Sequence, residues 1–222
     1  KLRDNLVRQR VAIISSIRFT LKSLGVKLPS PNTACFAKRC RMLLTDEHPE
    51  LLAMIAPSLQ VVDLLTKNIR ELEHAINGLC VERYPDTQRL RQIPGIGPIT
   101  SLSFVLTIGD PERFENPRDV AAYLGLVPRR DQSGDLDKQL RISKAGDAYL
   151  RRLLVSAAQY VLGPFGPDCD LKRHGLGLAA RGGRSAKKKA IVAIARKLSV
   201  LLLTLWKRDL DYQPLRRETL AA

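Results

Sequence analysis

The hydroxyl group best suited to chemistry in this sequence is that of Ser133, within the run 131–135. The small Gly134 follows it, and four cations lie close by in sequence: Arg129, Arg130, Lys138 and Arg141. A serine hydroxyl can attack a phosphodiester when neighbouring cations offset the charge on the phosphoryl oxygens. The same run is also a good turn sequence, so spacing alone leaves open a Ser133 that does no chemistry.

A second serine, Ser143, competes for this role, but it precedes an apolar helical stripe that begins at Leu150. The sequence therefore favours Ser143 as the N-cap of that helix. Two acids, Asp131 and Asp135, flank Ser133 and would oppose the approach of a phosphate.

Two further segments predict contacts with a nucleic-acid backbone. In the run 93–100, two glycines allow positive φ and leave amide groups uncovered where a helix begins, which is a site that can hold a phosphate. This pattern is typical of a helix-hairpin-helix, here over about residues 90–110, with Gly95, Ile96 and Gly97 as contacts. The alternative is a glycine turn needed only for close helix packing.

The second segment, residues 172–197, contains nine basic residues and no acidic one. Its glycine-rich first half predicts a mobile loop and its second half a helix. Lysines at the start of a helix oppose the helix dipole, and a bound phosphate backbone would compensate for them. The predicted phosphate contacts in this segment are Arg184, Lys187, Lys188 and Lys189. Lys144, which lies outside the segment, is a further predicted contact. The alternative is a solvated lysine face.

Composition supports a polyanionic partner. The chain has 222 residues, and 37 Lys and Arg against 22 Asp and Glu give a net charge of +15, which favours DNA or RNA. With 45% hydrophobic residues it is too apolar to be disordered.

The longest apolar stretch, 198–206, is short of the roughly 18 residues of a bilayer span, so no membrane partner is expected. The cysteines and histidines lack zinc-site spacing, so neither metal ligands nor a cofactor are predicted, and a reducing, cytoplasmic compartment fits best.

Apolar periodicity predicts a mainly α-helical protein with two regions. Residues 1–88 form a helical, coiled-coil region: one amphipathic helix over 1–28, then a heptad repeat. The a positions are Ile55, Val62, Ile69 and Ile76, and the d positions are Ser58, Leu65, Leu72 and Leu79. The partner of this helix is either a second copy of the chain, which would make a homo-oligomer, or the first helix folded back. Residues 89–222 form a compact helical domain in which 127–147 is a polar loop.

Several runs together resemble the carboxy-terminal domain of the IS-one-ten class of bacterial insertion-sequence transposases, relatives of the Piv invertase. The runs are 93–100, 108–110, Phe114, 121–129, Ser133-Gly134 and 142–151. Their order and spacing over about residues 90–162 carry the resemblance. The coiled-coil region and the basic last helix also lie where that class has them.

The resemblance implies a DNA recombinase whose serine, here Ser133, forms a covalent phosphoserine link to DNA during transposition. It also implies an amino-terminal RuvC-like domain with four acidic residues that bind magnesium and, in several members, a structured guide RNA. The chain opens at Lys1 where the first coiled-coil helix would, so we expect it to lack the acidic domain, to bind nucleic acid and to catalyse poorly alone. We expect a cytoplasmic, nucleoid-associated protein. Asp135 departs from the class, whose members often have a second glycine there.

Two other functions remain open on the sequence. A non-catalytic nucleic-acid-binding module would use the helix-hairpin-helix and the lysines, with Ser133 as a turn residue. A structural or assembly protein would use the heptads, with the charge serving solubility.

Overall fold

The computed structural model describes residues 1–28, 32–133 and 136–215, without the side chains of 130–133 and 136–139. These residues are mainly α-helical, as predicted, with one two-stranded antiparallel sheet. The elements are α1 (Leu2–Ser23), α2 (Phe36–Leu44), α3 (Pro49–Glu82), α4 (Asp86–Leu90), α5 (Pro98–Ile108), α6 (Asp119–Tyr123), β1 (Pro128–Ser133), β2 (Leu136–Ile142), α7 (Ala148–Leu162), α8 (Asp170–Ala180) and α9 (Ala186–Lys207). The chain divides into two compact units, Lys1–Ala75 and Ile76–Ala222.

The first unit is built on α1, which lies antiparallel to α3. Arg3 forms an ion pair with Glu73, and Nη1 of Arg10 donates to Oγ1 of Thr66 at 3.3 Å, so residues near the start of α1 meet late residues of α3. Burial lowers the pKa of Arg10, with the nearby Arg3 as the second cause. The polar contacts thus fix the direction in which the two helices run.

The buried side of this unit explains the heptad pattern. Its core contains Ile14, Ile17 and Leu21 of α1, four residues of α2, and Ile55, Leu59 and Val62 of α3. The helix α1 therefore folds back against α3, the heptad helix. This is one of the two partners that the sequence predicted. The d position Leu79 is 38% exposed, so the seam is not buried along its full length.

Among the described residues, α3 is also the one helix long and apolar enough to cross a membrane, with a mean hydropathy of 1.2 in an 18-residue window. Length and composition alone are weak grounds, because a core helix of a soluble protein can meet the same criterion. Three residues of α3 lie in the core of the first unit, as expected of a core helix. The expected lack of a membrane partner stays a prediction.

The second unit is organised around α9. Its core joins apolar residues of α4, α5, α6, α7 and α9 in one cluster, and α9 packs against α7 and α8. Phe104 of α5 meets Trp206 of α9 edge to face, with ring centroids 6.4 Å apart. The helices α7 and α9 therefore form the support on which the predicted binding segments lie.

Two predictions about loops were wrong. Residues 127–147 are not an irregular loop, because β1 and β2 pair there as a hairpin. In the first half of the basic segment the loop is confined to the connector around Gly182 and Gly183, and the prediction fails at Gly175 and Gly177, which lie in α8. A Cβ on Gly175 would come within 2.4 Å of Leu162 Cδ2 and 2.8 Å of Ile194 Cγ1. This glycine therefore permits close helix packing, which local sequence does not reveal.

Candidate serine and nucleic-acid site

Ser133 is the last residue of β1, opposite Leu136 of β2. The residues between them, Gly134 and Asp135, lie outside the described residues. The prediction that Asp135 alters the conformation of this loop therefore concerns residues that the structure does not describe. The antiparallel register places Asp131 opposite Lys138 and Arg130 opposite Gln139, with an irregularity between Pro128 and Arg130. The backbone thus carries the candidate nucleophile at the far end of a two-stranded hairpin.

The strand lengths separate some of the predicted cations from Ser133. At about 3.3 Å per residue, Arg129 is about 13 Å along β1 from Ser133, and Arg141 is about 16 Å along β2 from Leu136. Both side chains are exposed. Lys138 is only about 7 Å along β2 from Leu136. Arg129 and Arg141 are therefore closer to the start of the hairpin than to the serine.

We call residues 123–127 and 143–147 together the hairpin base, because they hold the two ends of the hairpin to one another. The amide of Ser143 donates to the carbonyl of Val127 at 2.9 Å, and that of Lys144 donates to Gly125 at 3.1 Å. Lys144, a predicted phosphate contact, is exposed and has a φ of +58°, which is uncommon outside glycine. These bonds continue the hairpin beyond the ends of its strands.

Two glycines allow the two halves of the base to approach this closely. A Cβ on Gly125 would lie 2.3 Å from both N and O of Ala145, and one on Gly146 would lie 2.1 Å from the carbonyl oxygen of Tyr123. Both glycines have positive φ, of +68° and +70°. No other residue type meets both the conformational and the steric requirement.

Arg151 of α7 bridges the two halves. Its Nη1 donates to the carbonyl of Leu124 at 3.0 Å and to that of Ala145 at 2.7 Å. One guanidinium thus satisfies a carbonyl on each side of the base, and charged donors make the stronger hydrogen bonds. The sequence reasoning included Arg151 only in the resemblance and assigned it no role.

The prediction that Ser143 caps α7 was wrong. The N-cap is Asp147, whose Oδ1 accepts from the amide of Leu150 at 2.7 Å. The Oγ of Ser143 is buried and makes no hydrogen bond within the described residues. Ser143 is therefore enclosed in the hairpin base, whereas a nucleophile needs access to its substrate.

The predicted phosphate turn joins α4 to α5, but its three residues differ. Gly95 has a φ of +83° and packs against α7, because a Cβ there would lie 3.1 Å from the carbonyl oxygen of Ala157. Ile96 is 5% exposed, and its amide donates to Ile93. Gly97 is the N-cap of α5, with a φ of −96° and open space around it. Positive φ among these three residues is thus confined to Gly95, and Gly97, at the start of α5, stays the candidate for a phosphate contact.

In the basic segment, residues 172–197, two cations have structural partners. Lys172 donates to the carbonyl of Gly166, and Arg173 forms a two-pronged ion pair with Asp168, which lowers the pKa of that carboxyl. The cations at the start of α9 are exposed: Arg184, Lys187, Lys188 and Lys189. Ser185, the N-cap of α9, makes no side-chain cap bond, and the first turn has no acid. The exposed cations, rather than the whole segment, are candidates for contact with phosphate.

Metal-ligating residues do not cluster in the part of the chain that the structure describes. No group of three or more His, Cys, Asp and Glu side chains there could hold a metal ion. The described residues therefore contain no acidic cluster of the kind that the resemblance implies for a separate domain. No step of a mechanism is assigned to a metal on this chain.

Comparison with known proteins identifies the class. Residues 87–169, from α4 through the hairpin to Cys169, match the family described as "Transposase IS116/IS110/IS902 family". The chain is 31% identical over 217 residues to the transposase for insertion sequence element IS1111A of Coxiella burnetii, covering 96% of this chain and 58% of that protein. It is 33% identical over 222 residues to a probable family 20 transposase of Pseudomonas aeruginosa, covering 96% of this chain and 64% of that protein.

A third relative is named for a different activity. The pilin gene-inverting protein of Moraxella lacunata is 36% identical over 110 residues, which cover 49% of this chain and 33% of that protein. The resemblance drawn from the sequence is confirmed: the chain is similar to insertion-sequence transposases of the IS116/IS110/IS902 family. The chain spans about three fifths of the length of the first two relatives.

Proposed function

We propose that this chain supplies the serine and the main DNA-binding surface of a transposase, and that Ser133 attacks the scissile phosphate. The observation that carries the proposal is the hairpin base. Two glycines without room for a Cβ and the Arg151 bridge hold the hairpin that carries Ser133 at its far end. A fixed base sets the direction in which the hairpin leaves the rest of the unit, and orientation of a nucleophile is one way to lower a reaction barrier.

The reaction is a transesterification. A P–O bond forms from Oγ of Ser133 while the P–O bond to the leaving sugar oxygen breaks, so one phosphodiester is exchanged for a phosphoserine link. The proton lost by the serine is balanced by the one that the leaving hydroxyl gains. Lys138 is the nearer candidate for charge stabilisation, because the register puts it on the same face of the sheet as Ser133, whereas Arg130 alternates to the other face. Arg129 and Arg141, at the other end of the hairpin, suit contacts with flanking phosphates.

The remaining partners belong to the same proposal. The exposed cations at the start of α9, with Gly97, bind the DNA backbone. Magnesium comes from a RuvC-like acidic domain acting together with this chain, and a structured guide RNA is a further partner implied by the resemblance. The late part of the α3 seam, where Leu79 is exposed, serves self-association, because the earlier heptad residues Ile55 and Val62 are buried in the core of the first unit. The compartment is the cytoplasm, at the nucleoid.

Ser133→Ala tests the proposal, with Ser143→Ala as the matched control. Each variant is joined to a relative's RuvC-like domain and incubated with magnesium and end-labelled DNA, and covalent protein–DNA adducts are counted on denaturing gels. We expect Ser133→Ala to abolish adducts and leave DNA affinity within about twofold, while Ser143→Ala retains them. Adducts that survive Ser133→Ala would overturn the serine mechanism.

The same preparations separate this proposal from the two other functions. A binding module would retain DNA affinity and give no adduct from either the unsubstituted chain or Ser143→Ala. For an assembly protein, log K would not change with log[salt], whereas each contacted duplex phosphate contributes a slope of about −0.9.

A further inference from the structure

The solvent-facing side of α7 carries two aromatic rings with polar groups between them. Tyr149, Arg152, Ser156 and Tyr160 recur at helical spacing on the side opposite the buried Leu154, and we call these four residues the outer face of α7. Tyr160 is 46% exposed. Arg152 lies over the ring of Tyr149, with its Cζ 5.2 Å from the ring centroid. The two rings are about 16 Å apart along the helix axis.

The charge of this surface is uniformly favourable to an anion. From residue 148 to residue 167 the sequence contains two arginines and no acidic residue. Asp147, just before this stretch, is used as the cap of α7. Since Arg151 is used in the hairpin base, a polyanion that lies along the outer face meets the single cation Arg152 and no carboxylate on the same helix.

Beyond the end of α7, a short turn presents Phe165 to solvent. Its side chain is 85% exposed, more than any other large apolar side chain among the described residues. A single exposed apolar residue is normal on a protein surface, but this turn is structurally defined. A Cβ on Gly166 would lie 2.4 Å from the carbonyl oxygen of Val161, and Lys172 donates to the carbonyl of Gly166. The backbone of the turn is thus held by its neighbours, and the exposed ring lies just beyond the end of α7.

The candidate phosphate turn lies beside the same surface. The position of a Cβ on Gly95 is 3.0 Å from Cδ1 of Tyr160. The open N-cap of α5, Gly97, is two residues further along. Amides suited to phosphate and a ring suited to a base therefore lie side by side.

We infer that the outer face of α7, together with Phe165, binds unpaired nucleotides by stacking bases on Tyr149, Tyr160 and Phe165. The inference rests on the nucleic-acid-binding part of the proposed function and goes beyond it, because it names unpaired strands as the ligand. Aromatic rings stack on any base whose face is uncovered, and bases inside a duplex have no uncovered face. About five stacked nucleotides, at 3.4 Å each, cover the length from Tyr149 to Tyr160.

The test uses the whole chain and three labelled probes of stated composition: a 15-mer of deoxythymidine, a 15-mer of uridine and a 20-base-pair duplex. Affinities are measured by fluorescence anisotropy at one fixed salt concentration. We expect Phe165→Ala and Tyr160→Ala each to weaken binding of the single strands by about 5- to 100-fold, the loss typical of a stacked ring. Binding of the duplex should change by less than about twofold.

A matched control is available because α1 carries Phe19, which is 71% exposed. Phe19→Ala removes the same ring from the other compact unit and should leave all three affinities unchanged. Tyr160→Phe keeps the ring and should retain single-strand binding, which separates stacking from loss of the hydroxyl. Phe165→Trp should also retain binding, and its added fluorescence should be quenched by the deoxythymidine 15-mer because of direct contact with bases.

The outcomes separate the inference from the proposed function. Unchanged single-strand affinity in Phe165→Ala, or an equal loss for single strands and duplex, overturns the inference while duplex binding still supports the proposed function. Failure of the unsubstituted chain to bind any of the probes overturns both. The relative affinity of the two 15-mers identifies the strand as DNA or RNA, and a selective loss on either one supports the inference.

Discussion

Gly146 and Gly182 have similar φ, of +70° and +80°, but they lie in two very different parts of the proposed nucleic-acid surface. Gly146 belongs to the hairpin base, where a Cβ would lie 2.1 Å from a backbone oxygen. Gly182 lies between α8 and α9, and a Cβ there would meet nothing within 4 Å. The comparison shows that a glycine at positive φ can be required by packing or only by the turn itself.

The cations of the two regions also differ in their hydrogen bonding and exposure. In the hairpin base, Arg151 is used to satisfy two carbonyl groups. At the start of α9, Arg184 and Lys187–Lys189 are exposed on a helix end that repels them. One region is therefore stabilised by its arginine, whereas the other keeps its charges accessible to a ligand.

The largest expected effect is that of Gly146→Ala against Gly182→Ala. Both variants pay the cost of positive φ, which is about 1 kcal/mol, but only the first also forces backbone atoms apart. We expect Gly146→Ala to lower the free energy of unfolding by more than about 3 kcal/mol and Gly182→Ala by about 1 kcal/mol. Urea denaturation measures both. Equal losses would mean that the hairpin base relaxes freely, and the contrast between the regions would not hold.

A second test compares Arg151→Gln with Arg184→Gln. The first removes a charged donor from two carbonyls and should cost about 2 kcal/mol of stability. The second should alter stability by less than about 0.5 kcal/mol, yet weaken duplex binding and reduce the salt slope by about 0.9. Thermal unfolding and binding titrations at several salt concentrations measure the two effects. A stability loss in Arg184→Gln as large as that in Arg151→Gln would show that the basic segment also has a structural role.

The smallest effects concern two glycines within α8. Gly175→Ala places a methyl group against Leu162 and Ile194 and should lower stability by about 1 kcal/mol. Gly177→Ala meets open space and should raise stability by about 1 kcal/mol, because alanine is the better helix former. Opposite signs in paired thermal melts would confirm that α8 is a packed helix. Two equal gains would instead indicate that α8 does not press on α7 and α9.

Sequence reasoning was most successful where local periodicity carries the information. The stripes of α1, α3, α7 and α9 are visible in the sequence, because burial on one face imposes the 3.6-residue repeat. The helix after Pro98 also follows from local signals. The family resemblance came from ordered short runs and was confirmed by comparison.

The errors arose where distant residues decide the structure. Residues 128–142 are mostly polar, and their strands are defined by cross-strand hydrogen bonds that no local pattern reveals. Glycines in α8 suggested a loop because the contact of Gly175 with Ile194 is not local. Ser143 and Asp147 are both good caps in sequence, and the hairpin base determines that Asp147 is the one used. The roles of Gly125, Gly146 and Arg151 depend on one another and could not be predicted singly.

One helix, α7, supports both the hairpin and the phosphate turn: Arg151 holds the hairpin base, and Ala157 contacts the turn at Gly95. One residue inserted between them would rotate everything downstream by about 100° and move it by about 1.5 Å. Arg151 and Ala157 would then face different sides, and one of the two attachments would be lost. This stretch therefore has a fixed length, whereas the connector at Gly182 and Gly183, where a Cβ would meet nothing within 4 Å, is where the protein tolerates a change in length.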